Sequence, residues 1–448
     1  MTKADVRPGR LSHEEISRNF SEMHPPLSRP EALIEADRCY FCYDAPCTTA
    51  CPTGIDIPGF IQKIRSDNLK GSAHTILREN IMGGMCARVC PTEVLCEEAC
   101  VRNDHEDKPV NIGLLQRYAT DPVFEQNLAL FARAAGTGNR IAVVGGGPAG
   151  LSCAHRLAVL GHEVVIFNRD SKLGGLNEYG IAAYKTVNDF AQREVSWILD
   201  IGGIEVRQNT SLGIDIALED LRNEYDAVFL AFGLGGVNKL GIANENADGV
   251  LNAVDYIAKL RQSKTMDDLP VGRHVVVIGG GMTAIDIAVQ SKRLGSEVVD
   301  IVYRRGPEQM GASQYEQDFA QTSGVTIRHW ASPTKLLISD RVTGIEFERT
   351  ELDANGQLRP TGEKWSLNAD IVFKAVGQSV ASEIFGDAAE SFEQKGGKLL
   401  VDEDRRTSLP DVWAGGDCIY GSDDLTVTAV QDGKVAANSI DRALRTRE

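Results

Sequence analysis

The chain runs to 448 residues with 42% hydrophobic and 25% charged side chains, an ordinary globular composition for which two to four domains are expected. Its 47 Lys and Arg against 63 Asp and Glu leave a formal charge of −16, which argues against nucleic acid or an anionic membrane as a partner and suits good solubility. The opening Met-Thr-Lys-Ala-Asp-Val-Arg is no apolar signal segment, so the expected compartment is the reducing cytoplasm.

Residues 1 to about 30 are polar and broken by Pro8, Pro25, Pro26 and Pro30, and they read as an extended arm lying over a neighbour. Helical spacing begins at Glu31 with Ala32, Leu33 and Ala36. The cysteines then crowd together. Cys39-x2-Cys42-x4-Cys47-x3-Cys51-Pro52 and Cys86-x3-Cys90-Pro91-x4-Cys96-x3-Cys100 hold eight of the ten in the chain. Between the two runs, Ile61, Ile64, Leu69, Ala73, Ile76 and Leu77 recur at helical spacing over Ile57 to Ile81. Disulfides do not suit a reducing compartment, and Cys39-x2-Cys42 alone could be half of a zinc site. Two successive runs with tight spacings and a Cys-Pro each fit cubane iron–sulfur ligation better, where the last cysteine of a run can serve the other cluster. Residues 1–135 are therefore expected to form an α-helical domain that shields its clusters from water.

Ala135-Gly-Thr-Gly-Asn139 reads as a linker, and a new pattern follows at once. Ile141 to Val144 is a buried strand, Gly145-Gly-Gly147-Pro148-Ala149-Gly150 turns it into a helix, and Val164 to Phe167 is the next strand. In that context Gly-x-Gly-x-x-Gly signifies dinucleotide binding, with the helix N-terminus facing a pyrophosphate. The fingerprint wants an acid after the second strand; Asn168 stands there and can meet a ribose diol without charge. Lys172-Leu-Gly-Gly175-Leu176 offers a glycine pair against which a flavin could lie, and Lys185 is expected among the FAD contacts.

The pattern recurs at Val275 to Ile278 with Gly279-Gly-Gly281-Met282-Thr283-Ala284 and a strand from Val298 to Tyr303. No carboxylate follows; Arg304 and Arg305 do. An arginine pair there can grip a 2′-phosphate, which favours NADP(H) over NAD(H), whereas as a solvated strand end it would admit either. Val376 and Gly377, at the return of the chain, complete the expected nicotinamide contacts. The last element runs through Trp413-Ala-Gly-Gly416-Asp417-Cys418 to Thr426-Val427-Thr428, a strand, a ribityl-binding aspartate and a helix N-terminus beneath a flavin. Because this element completes the first fold yet follows the second, the second is inserted into the first. The expected class is α/β: two nested Rossmann-type FAD and NAD(P)-binding domains, 136–236 with 383–448 and 237–382, behind the α-helical, ferredoxin-like iron–sulfur domain.

This nesting behind eight cysteines resembles the electron-input half of dihydropyrimidine dehydrogenase and the small subunit of glutamate synthase over nearly the whole chain. Arg38-Cys-x2-Cys-x2-Ala-Pro-Cys-x3-Cys-Pro, Cys86-Ala-Arg-Val-Cys-Pro-Thr-Glu-x-Leu-Cys and Asn111-Ile-Gly-x-Leu-Gln116-Arg are similar to the dihydropyrimidine dehydrogenase line. The resemblance implies two [4Fe–4S] clusters. One would be held by Cys39, Cys42, Cys47 and Cys100; the other by Cys51, Cys90, Cys96 and the amide oxygen of Gln116, with Cys86 in neither set. Cys153 reads as core, and Cys418 has no second cysteine close in sequence for a redox disulfide. Hydride from NAD(P)H would pass to FAD and leave as single electrons through the clusters, a transfer that requires orientation and dryness rather than a general acid or base. No barrel-sized segment is present, so the resemblance implies a partner subunit with FMN and iron–sulfur that reduces uracil and thymine to their 5,6-dihydro forms. The competing readings are a glutamate synthase small subunit or related NAD(P)H:acceptor reductase, and a non-enzymatic zinc-bearing scaffold.

Overall fold

The computed structural model describes residues 11–446 except 107, 382, 383 and 385–390. The boundary expected between 382 and 383 and the first ten residues of the expected arm therefore lie outside the described residues. The chain divides into two compact units, and Val237–Gln378 of one interrupts the sequence of the other.

The larger unit takes His24–Glu178, Asn188–Gly236 and Ser379–Glu448. It begins with helices. The stretch expected to be helical from Ile57 to Ile81 is two of them, Ile57–Arg65 and Leu69–Glu79. They part at Asp67, which sits at φ +60°, and each N-terminus is closed by a side chain: Asp56 accepts from Gly59 N at 3.0 Å and Asn68 from Gly71 N at 2.9 Å. Phe60, Ile61, Ile64 and Ile76 meet Ala32, Ala36 and Leu115 in one apolar core. Against this core lie the cysteine-bearing loops and the helices Gly83–Val89 and Ile112–Glu125.

The same unit holds a five-stranded parallel sheet. Its order is Val412–Ala414, Ala227–Leu230, Arg140–Val144, Glu163–Phe167, Ile204–Arg207. Successive apolar residues such as Ile141 to Val144 are buried on both faces, as parallel strands covered by helices require. The edge strand Val412–Ala414 pairs with Ala227–Leu230 although the whole inserted unit lies between them in sequence.

The second unit has its own five-stranded parallel sheet, ordered Val250–Asn252, Ile371–Lys374, His274–Ile278, Val298–Val302, Thr326–Arg328. A three-stranded antiparallel sheet, Ala331–Ile338, Val342–Leu352 and Leu358–Asn368, is added to it.

Two segments expected elsewhere belong to this unit: Met1–Met23 and Tyr179–Val187. The described part of the arm is not extended throughout. Residues His13–Asn19 form a helix started by a capping box between Ser12 and Glu15, and Asn19 Nδ2 donates to Arg293 O at 2.9 Å. Ile16 and Phe20 are buried in the unit's core with Tyr184, Leu260 and Ile285, a gain of about 1.5–3 kcal/mol each. That burial fixes where the segment docks; its polar composition concealed this.

Candidate functional site

Cys39, Cys42, Cys47 and Cys100 line one cavity in the helical part of the larger unit, walled by Ile57, Ile61, Val110 and Ile112. Burial pushes the Cys47 thiol up to about 12, and the neighbouring Cys39 and Cys100 add to the rise. Cys39 is raised by burial too, with Cys42 and Cys100 as further contributors. Two buried thiols raised in this way, Cys39 and Cys47, suit ligation by a cationic centre such as an iron–sulfur cluster, which stabilises their thiolate forms. Among the described residues no three or more Cys, His, Asp or Glu converge tightly enough for a single metal ion. The sulfurs surround a cavity instead, and that geometry fits a cluster.

Cys51, Cys90 and Cys96 form a second neighbourhood. Cys90 is raised by a hydrogen bond with Cys86, by burial, and then by Cys96 and Cys51; Cys96 is raised by burial, Glu97 and Cys51. Gln116, 7% exposed, donates from its amide nitrogen to Gly83 O at 2.7 Å, at the start of the helix that ends in Cys90. The first turn of that helix is held from the other side by the fully buried Glu194, whose Oε1 accepts from Gly84 N at 2.8 Å and Met85 N at 3.1 Å. Burial pushes Glu194 up to about 8. Its part was not legible in sequence, since it comes from a helix over a hundred positions away. All ten cysteines are free; Cys153 is core, and Cys418 is buried with its thiol directed at Gly415 O.

In the first dinucleotide fold, Gly145 has φ +106° and a Cβ there would lie 2.2 Å from Ala231 O, so only glycine fits. Gly147 is the N-cap of the Pro148–Val159 helix, with Ala149 and Gly150 in its first turn; opposite Gly147 only the Gly175 backbone comes within 4 Å of where a side chain would start. Leu176, 38% exposed, opens the short helix beyond Gly175. Asn168 departs from expectation. Its Oδ1 accepts from Gly146 N at 3.0 Å and its Nδ2 donates to Asp170 O at 2.7 Å and Lys172 O at 2.9 Å, so both amide protons close its own loop rather than remaining for a ribose.

The chain returns to this fold at Gly416, whose N–H donates to Asp432 Oδ2 at 2.8 Å. Burial pushes the neighbouring Asp417 up to about 6, with Asp424 adding to the rise. Thr426, first residue of the Thr426–Arg445 helix, donates to Asn177 Oδ1 at 2.7 Å, Val427 is buried, and the hydroxyl of Thr428 is buried with no hydrogen-bond partner among the described residues. An open glycine cradle and an orphaned hydroxyl at a helix N-terminus fit a bound flavin nucleotide. Asn177 and Asp432 hold this arrangement together; Asn177 lies outside any recognisable motif, and Asp432, at the end of the Thr426-Val-Thr-Ala-Val-Gln-Asp-Gly433 stretch, shows no role in sequence.

In the second fold Gly279 repeats Gly145: φ is +148° and a Cβ would meet Ala375 O at 2.1 Å. Gly281 caps the Met282–Arg293 helix, whose first turn holds Thr283 and Ala284, and among the described residues nothing comes within 4 Å of its Cβ position. The Tyr303 ring stands over Gly280, where Asn168 stands over Gly146. Arg304 is exposed and Arg305 half-buried; their carbonyls are held by Thr350 Oγ1 at 2.7 Å and Trp330 N at 3.2 Å, and neither guanidinium has a partner among the described residues. Val376 O and Gly377 O both accept from Asn238.

Lys185 is expected from the sequence among the FAD contacts. It lies in the second unit, with its ammonium 2.8 Å from Asp286 and 2.7 Å from Glu316. Burial alone would pull its pKa down, but those two carboxylates hold it above the usual lysine range.

A cysteine-rich helical segment followed by two parallel-sheet dinucleotide folds, one inserted in the sequence of the other, defines the class: an iron–sulfur, pyridine-nucleotide-dependent flavoprotein oxidoreductase. Comparison with known proteins gives the family. Residues 16–128 match the dihydropyrimidine dehydrogenase domain II, 4Fe-4S cluster model, and residues 139–433 match the pyridine nucleotide-disulphide oxidoreductase model. The chain belongs to the pyridine nucleotide-disulphide oxidoreductase family, in the branch that carries this iron–sulfur domain.

It is 34% identical over 443 residues to the glutamate synthase [NADPH] small chain of Escherichia coli, covering 94% of this chain and 93% of that one. It is also 34% identical over 423 residues to the NAD-dependent dihydropyrimidine dehydrogenase subunit PreT of Salmonella typhimurium, covering 94% and 96%. Among solved structures, FprA of Mycobacterium tuberculosis in complex with NADPH superposes with a TM-score of 0.58 at 20% identity, covering 69% of this chain and 85% of that one. Thioredoxin reductase of T. acidophilum gives 0.54 at 20% identity, over 68% and 98%. The last two show the fold. Within the family, the chain is an NAD(P)-dependent oxidoreductase with a 4Fe-4S domain and FAD. No helix among the described residues is long and apolar enough to cross a membrane.

Proposed function

We propose that this chain is the electron-input subunit of a cytoplasmic dihydropyrimidine dehydrogenase, holding two [4Fe–4S] clusters and delivering electrons to an FMN and iron–sulfur partner subunit that reduces uracil and thymine. The observation that carries the electron-input part is the single apolar cavity shared by Cys39, Cys42, Cys47 and Cys100. In this reading those four hold one cluster and Cys51, Cys90, Cys96 and Gln116 the other. The larger unit holds FAD and the clusters, and the second unit holds the nicotinamide.

When bound, the nicotinamide, flavin and clusters supply the conversion of a hydride into single electrons. The chain supplies position and dryness. Gly145, Gly147, Ala149 and Gly150 leave room for a pyrophosphate at a helix N-terminus, Gly175 and Leu176 border the ring, Gly416 and Asp417 meet the ribityl chain, and Thr428 offers its unpaired hydroxyl. Gly279, Gly281, Met282 and Thr283 do the same for the second nucleotide, with Val376 and Gly377 beside it. The unpaired guanidinium groups of Arg304 and Arg305 favour NADPH, as a 2′-phosphate would give each a charge-assisted partner.

The pyrimidine assignment rests on the likeness to PreT and on Gln116 in its Asn111-Ile-Gly-x-Leu setting. A glutamate synthase small subunit is the second reading, favoured by an identity equal to that with PreT. Anaerobic affinity capture from the source cells, followed by NAD(P)H oxidation assays, separates them. An FMN-bearing partner and uracil-dependent oxidation support the first. An amidotransferase-bearing partner with glutamate-dependent NADP reduction replaces it with the second.

A further inference from the structure

The Thr426–Arg445 helix starts at the proposed flavin site, and six residues beyond Thr428 it carries Lys434. The Lys434 ammonium donates to Thr53 O at 2.8 Å and pairs with Glu79 at 3.1 Å, with its side chain 12% exposed. Thr53 is buried and follows Cys51 by two positions, and its hydroxyl lies 3.3 Å from the Cys51 sulfur. One side chain therefore joins the helix entered beside the flavin to the loop that carries a proposed cluster ligand.

The charges around it do not cancel. The cavity bordered by Lys434 is also lined by Arg78, Arg156 and Glu79, three cations to one anion. Glu79 accepts from Arg78 at 3.1 Å as well, and at 28% exposure its carboxylate is better screened by water than the more deeply buried ammonium. A cation held in a dry place beside a cluster stabilises the reduced, more negative form, because cluster potentials follow local charge and hydrogen bonding.

We propose that Lys434 is a positioning residue for the second cluster: it fixes the Cys51 loop to the flavin-site helix and raises that cluster's reduction potential, making it an easier destination for electrons leaving the flavin. This rests on the assignment of Cys51, Cys90, Cys96 and Gln116 to that cluster. The test is an EPR-monitored redox titration of the full-length, cofactor-loaded protein purified without oxygen, with the signal disturbed by Gln116→Ala taken as the second cluster.

Lys434→Met should move that midpoint to more negative potential, leave the other cluster's midpoint in place and keep iron and FAD content; Lys434→Arg should restore the wild-type value. Should the methionine variant not fold, Glu79→Gln, which removes the anion, should move the same midpoint in the positive direction. Wild-type midpoints in these variants, or parallel loss of iron and FAD that arginine does not repair, would reduce Lys434 to a structural tie. A wild-type protein with a single cluster signal would overturn the ligand assignment itself, and the inference with it.

Discussion

The two dinucleotide folds open alike and close differently. Gly145 and Gly279 both adopt positive φ against the carbonyl of a neighbouring strand's end, and Gly147 and Gly281 both cap the following helix. After the second strand they diverge. Asn168 turns inward and closes its own loop with three hydrogen bonds, whereas Tyr303 covers the glycine with a ring and is followed by two arginines whose guanidinium groups have no partner among the described residues. The first fold then receives a buried carboxyl, Asp417, from a distant segment, while Val376 and Gly377 stand at the matching return in the second. The two loops share their backbone geometry, and the proposed difference in nucleotide rests on the residues after the second strand and at the return.

The sharpest test is a matched pair of lesions. Gly145→Ala should abolish FAD retention, read as the flavin-to-protein absorbance ratio, because the new Cβ collides with backbone that cannot step aside. Gly279→Ala should keep the flavin yet lose nicotinamide binding, measured as NADPH affinity. Loss of FAD from both variants would mean the loops are not independent sites.

Lys185→Met should be next in size. It leaves Asp286 and Glu316 without their shared cation, a cost of about 3–5 kcal/mol for a buried pair broken on one side. Denaturant unfolding of the second unit should register it, with flavin absorbance in the first unit persisting to higher denaturant. A loss under 1 kcal/mol would show that water reaches the pair.

Asp417 gives the first fold a pH dependence of its own. A carboxyl with a folded pKa near 6, against an ordinary value of 3.8, takes up protons on folding. In the flavin-free protein its destabilising effect is absent below pH 3.8, grows as pH rises to about 6 and is complete above that, up to about 3 kcal/mol. Asp417→Asn should flatten that part of the stability profile while weakening FAD binding. An unchanged profile would place the titration elsewhere.

Arg304→Ala with Arg305→Ala is the mildest change. It should raise KM for NADPH about tenfold, or about 1.4 kcal/mol, and leave that for NADH nearly untouched. Equal effects on both nucleotides would make the arginines a solvated strand end.

Both Gly-x-Gly-x-x loops, the strands around them and the cysteine spacing were legible in sequence because each is local: turn, helix and ligand lie within a few residues. The insertion was legible too, from the position of Gly416-Asp417 after the second fold. Three features were not. Ser12 to Phe20 shows a capping box, but its destination depends on Ile16 and Phe20 reaching a core formed some 250 residues later. Lys185 sits near the flavin motifs in sequence yet finds its partners at Asp286 and Glu316. Asn168 was read by chemistry alone, and hydrogen-bonding capacity does not say which bonds are already made.

The strand order of the first sheet also has a consequence for synthesis. Strand Ala227–Leu230 waits for its neighbour Val412–Ala414, which leaves the ribosome on the order of 180 residues later, roughly 10 to 40 s at about 5–20 residues per second. Through that interval the inserted unit can finish while the surrounding one keeps a bare strand edge, open to pairing with another nascent chain. Messages that stall or end between codons 378 and 412 should therefore yield a competent inserted unit attached to an aggregation-prone remainder, and whatever chaperone attends this protein has its work concentrated in that window.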